Sequence, residues 1–95
     1  MSDLVVDCRG VTSCAELWRR YVETGQIRDP ATFGRNLDAF WDAIERGGPG
    51  RPTAATVTFL HSEELAALRM NGGGSFLEAL RAISQDATVI DVRLA

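Results

Sequence analysis

The sequence predicts an α/β fold: a small three-stranded parallel sheet packed with about four helices. Three observations predict it. Short β-branched runs lie at residues 4–7, 55–60 and 88–94. Segments with helical apolar spacing fall between each successive pair of runs, and strands joined through helices pair in parallel with right-handed crossovers. The length of 95 residues allows one domain, 1–95, with one modest core.

In chain order, Leu4-Val5-Val6-Asp7 reads as a strand closed by Arg9-Gly10. Thr12 or Ser13 can cap the first helix, with Glu16 placed to complete a capping box from Ser13. Leu17 and Tyr21 then recur at helical spacing, Trp18 joins them as a core residue, and Gly25 ends the helix. Residues 26–35, with Pro30, form an irregular connection. The second helix runs from about Leu37 to Arg46, with Asn36 as N-cap, because its side-chain oxygen can accept an orphan N–H of the first turn. Residues 47–52, Gly-Gly-Pro-Gly-Arg-Pro, break it. Ala55–Leu60 alternates as a strand with Val57 and Phe59 on one face, and residues 61–68 form a short helix with Ser62 as its cap. Asn71-Gly72-Gly73-Gly74 is a turn. Ser75, with Glu78 three residues on, caps a helix with an apolar stripe of Phe76, Leu77, Leu80 and Ile83, and the last strand follows at 88–94.

Composition narrows the function classes. The apolar fraction is 45% and the charged fraction 24%, which is ordinary for a globular domain and argues against disorder. Every basic residue is Arg, and the formal net charge is -3. An acidic balance speaks against direct nucleic-acid binding, which needs a basic face, and suits a basic protein partner. No stretch approaches the roughly 18 apolar residues of a membrane span, and the N-terminal residues do not form a secretory signal, so a cytoplasmic location is expected. Cys8 and Cys14 are expected as free thiols in a reducing compartment.

The informative segment is the second helix. On a wheel of 3.6 residues per turn, Leu37, Phe40 and Ile44 share a narrow arc that must be the core face. Asp38, Asp42 and Glu45 share another arc almost opposite, with Trp41 on the flank between. Acids at i and i+4 repel by about 0.2–0.5 kcal/mol. Only Arg46 is spaced to relieve Asp42, and Asp38 gains from the helix macrodipole. The pattern fits either a solvated acidic surface or a face for a cationic partner.

A resemblance decides between these readings. Phe33-Gly34-Arg35-Asn36-Leu37-Asp38-Ala39-Phe40-Trp41-Asp42 resembles the signature of the barstar family, an aromatic-Gly-x-Asn-Leu-Asp-Ala-aromatic-or-Leu-Trp-Asp pattern. Pro30, the Asn71-Gly72 turn before an apolar helix, the final strand and the length follow the same plan. The resemblance implies a barstar-like fold and one-to-one binding of a secreted guanyl-specific microbial ribonuclease. It implies that Asp42 enters the catalytic phosphate pocket and that Asp38 meets an arginine of the base-recognition loop. Gly34, Asn36 and Leu37 would be contact positions at the helix start, and Trp41 the flanking aromatic. Thr32 stands where the family has a contact tyrosine, Ala82 where it has a glutamate, and Glu45 where it has a smaller polar residue. A carboxylate held on a rigid helix can stand in for an RNA phosphate, since the nuclease site must be cationic to stabilise charge in its transition state.

The remaining signals have plain structural readings. His61-Ser62-Glu63 lies on a strand-to-helix turn, where neighbouring residues do not assemble a nucleophile and its base. One His and two separated Cys do not have the spacing of a metal site, and neither a metal nor another cofactor is expected. Gly72-Gly73-Gly74-Ser75 lacks the Lys and spacing of a phosphate loop. The expectation is therefore an intracellular inhibitor with no catalysis. A binding module for another basic protein is the alternative, and an enzyme with Asp38 and Asp42 as paired carboxylates is the weakest reading.

Overall fold

The structure, a computed structural model, describes residues 3–70 and 72–95. Strand β1 is Asp3–Asp7, helix α1 Cys14–Glu23, helix α2 Leu37–Arg46, strand β2 Thr56–Leu60, helix α3 Phe76–Asp86 and strand β3 Asp91–Leu94. Single 3-10 turns stand at Pro30–Thr32 and Ser62–Leu65. The sheet is wholly parallel in the order β1-β2-β3, as the interleaving of strands and helices predicts. Leu4 pairs with Val57 and Val57 with Val92, so the buried residues of the three strands stand in register on one face. The other face, with Val5, Thr58 and Arg93 in register, is left without a covering layer of buried side chains. Alternating strands with one wet face are uncommon in parallel sheets, which usually read as continuous apolar runs.

Among the described residues there are three α-helices, slightly fewer than the expected four or so. Within residues 61–68 only a 3-10 turn forms, at Ser62–Leu65, and the buried Leu65 and Leu68 are three apart, a spacing that such a turn also accommodates. Ser62 is not its cap. His61 holds that position in a left-handed conformation, and the Ser62 hydroxyl donates to the carbonyl of Ala95 at 3.1 Å. The predicted caps of the α-helices do form. Ser13 Oγ accepts from the Glu16 N–H at 3.1 Å, Asn36 Oδ1 from Ala39 at 2.7 Å and Ser75 Oγ from Glu78 at 3.3 Å. The box at Ser13 is half formed, since the Glu16 carboxylate pairs instead with Arg20 at 2.7 Å. Asn71 lies outside the described residues. The glycines after it turn the chain, with the Gly73 N–H on the Met70 carbonyl at 2.9 Å.

The aromatic side chains concentrate where α1, α2 and the loops meet. The Trp18 ring centre lies 5.9 Å from Tyr21, 5.7 Å from Phe33, 5.5 Å from Phe40 and 5.9 Å from Phe76. Such pairs add roughly 0.5–1.5 kcal/mol each beyond the burial of area. The Tyr21 hydroxyl, deep in this cluster, donates to the Gly50 carbonyl at 2.7 Å, and burial pushes its pKa up. Helix α2 is therefore supported from beneath, its Phe40 packing on Trp18 and Tyr21 of α1, and its following loop is pinned by Tyr21. Both cysteines are free. Burial pushes the Cys8 thiol up to about 12 and raises that of the half-buried Cys14, so both stay protonated and unreactive at neutral pH.

Candidate functional site: the acidic face of α2

Two local devices aim α2. Asn36 is extended and caps the helix, and its Nδ2 also donates to the Gly34 carbonyl at 3.4 Å. Arg35 just before it is left-handed, φ 56°, which costs a residue with a Cβ roughly 1–2 kcal/mol. That turn folds the chain tightly enough that a methyl on Gly34 would stand 3.0 Å from the Ala39 Cβ. At the other end Gly47 is left-handed, and the N–H groups of Gly47 and Gly48 both point to the Asp42 carbonyl.

The buried side of α2 is wider than the predicted stripe. Phe40 and Ile44 are fully buried, but so is Ala43, while Leu37 is only half-buried at the edge. Asp38 is exposed, and Asp42, one turn on, is half-buried. Trp41 packs its side against the core at the flank, as the wheel predicts.

Ion pairing alone does not single out these two acids, since Asp3, Asp29, Glu64 and Asp86 also stand outside the ion pairs among the described residues. Glu16, Glu23, Glu78, Asp7 and Asp91 each pair with an arginine close by in sequence. Among the described residues, neither Asp38 nor Asp42 is in an ion pair, and Arg46 does not reach Asp42. Glu45 behaves otherwise. Its Oε1 accepts from the backbone N–H groups of Thr88 and Val89 at 2.6 and 3.0 Å, and its Oε2 from the Thr88 hydroxyl at 2.8 Å. These donors hold its carboxyl below the usual range. They also explain why β3 begins at Asp91 and not at Thr88. Glu45 therefore ties α2 to the loop before β3, and its carboxylate is turned away from the solvent-facing pair.

Thr32 ends the first 3-10 turn, exposed, with its hydroxyl donating to the Asp29 carbonyl at 3.2 Å. An open groove of about 690 Å³ runs beside Asp38, between Cys14, residues 35–38 and residues 67–70. Asp38 thus borders this groove, whereas Asp42 and Trp41 lie outside it. His61 and Glu63 approach to 3.7 Å, but the Ser62 hydroxyl is committed to Ala95. Among the described residues no three His, Cys, Asp or Glu side chains converge as a metal site, and no helix is long and apolar enough to cross a membrane.

A family model described as Barstar (barnase inhibitor) matches residues 1–94, essentially the whole chain. The chain belongs to the barstar family. The barstar signature residues are those that cap, aim and charge α2, and the three-stranded parallel sheet is consistent with the barstar fold. No curated protein matches the chain significantly.

Sequence reasoning missed two residues beside the α2 acids. Arg35 takes a conformation that nothing in its side chain announces. Gly48, read only as part of a helix-breaking loop, lies directly against the Asp42 carboxylate.

Proposed function

We propose that the chain is an intracellular inhibitor that binds a secreted guanyl-specific microbial ribonuclease one-to-one. It blocks the active site with the acidic face of α2 and carries out no reaction itself. The observation that supports this most is the pair of carboxylates without ion pairs, Asp38 and Asp42, one turn apart on α2 of a barstar-family chain. Acids one turn apart on a helix repel each other and are relieved when a cationic cleft closes over them. In this reading Asp42 occupies the phosphate pocket and meets its arginines, which can pair bidentately with a carboxylate. Asp38 meets an arginine of the base-recognition loop. Trp41, Leu37, Asn36 and Gly34 border the contact, and Thr32 stands at its edge. Glu45 acts from behind, through its hold on residues 88 and 89.

The inhibitor protects the cell that makes the nuclease until the nuclease is exported. Inhibition of a panel of small guanyl-specific ribonucleases, barnase included, by the purified chain tests the reading. Stoichiometric loss of activity of at least one member is expected. Full activity of every member in excess chain, with tight capture of a different basic protein, would replace the nuclease by another partner for the same face.

A further inference from the structure

We propose that Gly48 is a positioning residue for the Asp42 carboxylate, an inference that rests on the inhibitor reading for its effect on binding. The loop after α2 contains three glycines, and the structure gives them different reasons to be glycine. Gly47 and Gly50 are left-handed, φ 77° and 92°, and a methyl on Gly50 would strike the buried Phe33 ring. Those two serve the backbone and the core. Gly48 is not among the residues of positive φ, so its backbone accepts any L-residue. The three atoms nearest to a methyl at 48 all belong to Asp42: it would overlap Oδ2 and stand 3.1 Å from Cγ.

The reason lies in the helix end. Gly47 and Gly48 both donate to the Asp42 carbonyl, so the chain folds back over the turn that carries Asp42. The Gly48 Cα then forms one wall for the carboxylate. This explains why Asp42 is half-buried while Asp38, at the open end of the helix, is exposed. A side chain already confined in one rotamer loses less freedom on binding, and the central charge of an interface gains most from that confinement. Gly48 therefore touches no partner and acts through Asp42. Because only the end of one flexible side chain must move, Gly48→Ala leaves the fold intact while displacing the carboxylate.

Two measurements on the purified chain test this. In the free protein, Hα–Hβ couplings of Asp42 should report one rotamer in the wild type and a different or averaged one in Gly48→Ala, with the melting temperature unchanged. With the ribonuclease that the panel identifies, Gly48→Ala should weaken binding tenfold or more in the wild-type background and less than twofold in the Asp42→Ala background. Unchanged Asp42 couplings, or an equal loss in both backgrounds, would overturn the positioning role. Normal binding by Asp42→Ala itself, with the couplings altered as expected, would overturn the inhibitor reading and leave the rotamer assignment standing.

Discussion

Asp38 and Asp42 have the same charge but different surroundings, and their surroundings set what each substitution does. Asp42 is half-buried beside Gly48, and Asp38 is exposed near the positive end of the macrodipole. Asp42→Ala should cost the most affinity of any single surface change, about 2–5 kcal/mol, with Asp38→Ala next. That range comes in part from inhibitor–nuclease pairs of this family. Neither change should alter stability by more than about 0.5 kcal/mol, and calorimetry with the cognate nuclease alongside thermal melts separates the two effects. The spacing in the sequence was enough to find this pair. It could not find the work of Glu45, whose partners are 43 and 44 residues away and are mostly backbone N–H groups that no side-chain pattern marks. Glu45 makes a distinct prediction. Its folded pKa is depressed below the ordinary 4.5, so the unfolded chain binds more protons just below that pH. The stabilisation it gives is therefore present at neutral pH and lost as pH falls through its folded pKa. Glu45→Gln should lower the melting temperature at pH 7, and the difference from wild type should shrink on acidification below pH 4.5. A difference that does not change with pH would mean that the carboxylate's charge is not what residues 88 and 89 need.

The helices were legible because each begins on a residue that can do only one thing well there. Ser13, Asn36 and Ser75 all accept from the N–H three residues on, and α2 starts and stops where Asn36 and Gly47 say it should. Where no cap fixes the boundary, the reading drifted. The final strand was placed too early because Thr88 and Val89 are good strand formers, yet their N–H groups are taken by Glu45 before they can join the sheet. The segment after β2 was read as a short helix capped by Ser62, but the Ser62 hydroxyl bonds to Ala95 and only one 3-10 turn forms. Helix α2 was also given too narrow a core face, since buried alanines carry little weight in an apolar stripe. In the proposed complex, two positions around the acidic helix would tune the choice of nuclease. Thr32 ends its short turn exposed, and Ala82 is exposed on α3. Thr32→Tyr with Ala82→Glu should tighten binding to barnase, and the gain from Ala82→Glu should fade in high salt. Equal affinity of wild type and double variant at low salt would place these positions outside the interface.

At the scale of the whole molecule, the sheet's alternating strands commit all three helices to one face, and the aromatic cluster around Trp18 makes that layer a rigid seat for α2. The one-sided sheet was legible from the alternation at 55–60, whereas the way Phe33, Phe40 and Phe76 meet on Trp18 depends on contacts distant in sequence. The net charge of -3, together with the unpaired acids of one face, should steer the chain towards a cationic cleft. Stopped-flow association should therefore slow steeply from low to moderate salt while dissociation changes little, and a flat association rate would remove steering. The central claim is that the α2 acids close a ribonuclease active site, and titration of nuclease activity tests it most directly. Against the most sensitive member of a guanyl-specific panel, activity should fall linearly to near zero at one equivalent of wild-type chain, while the folded Asp38→Asn/Asp42→Asn variant leaves most activity at the same ratio. Full inhibition by that variant, or none by the wild type on any member, would contradict it.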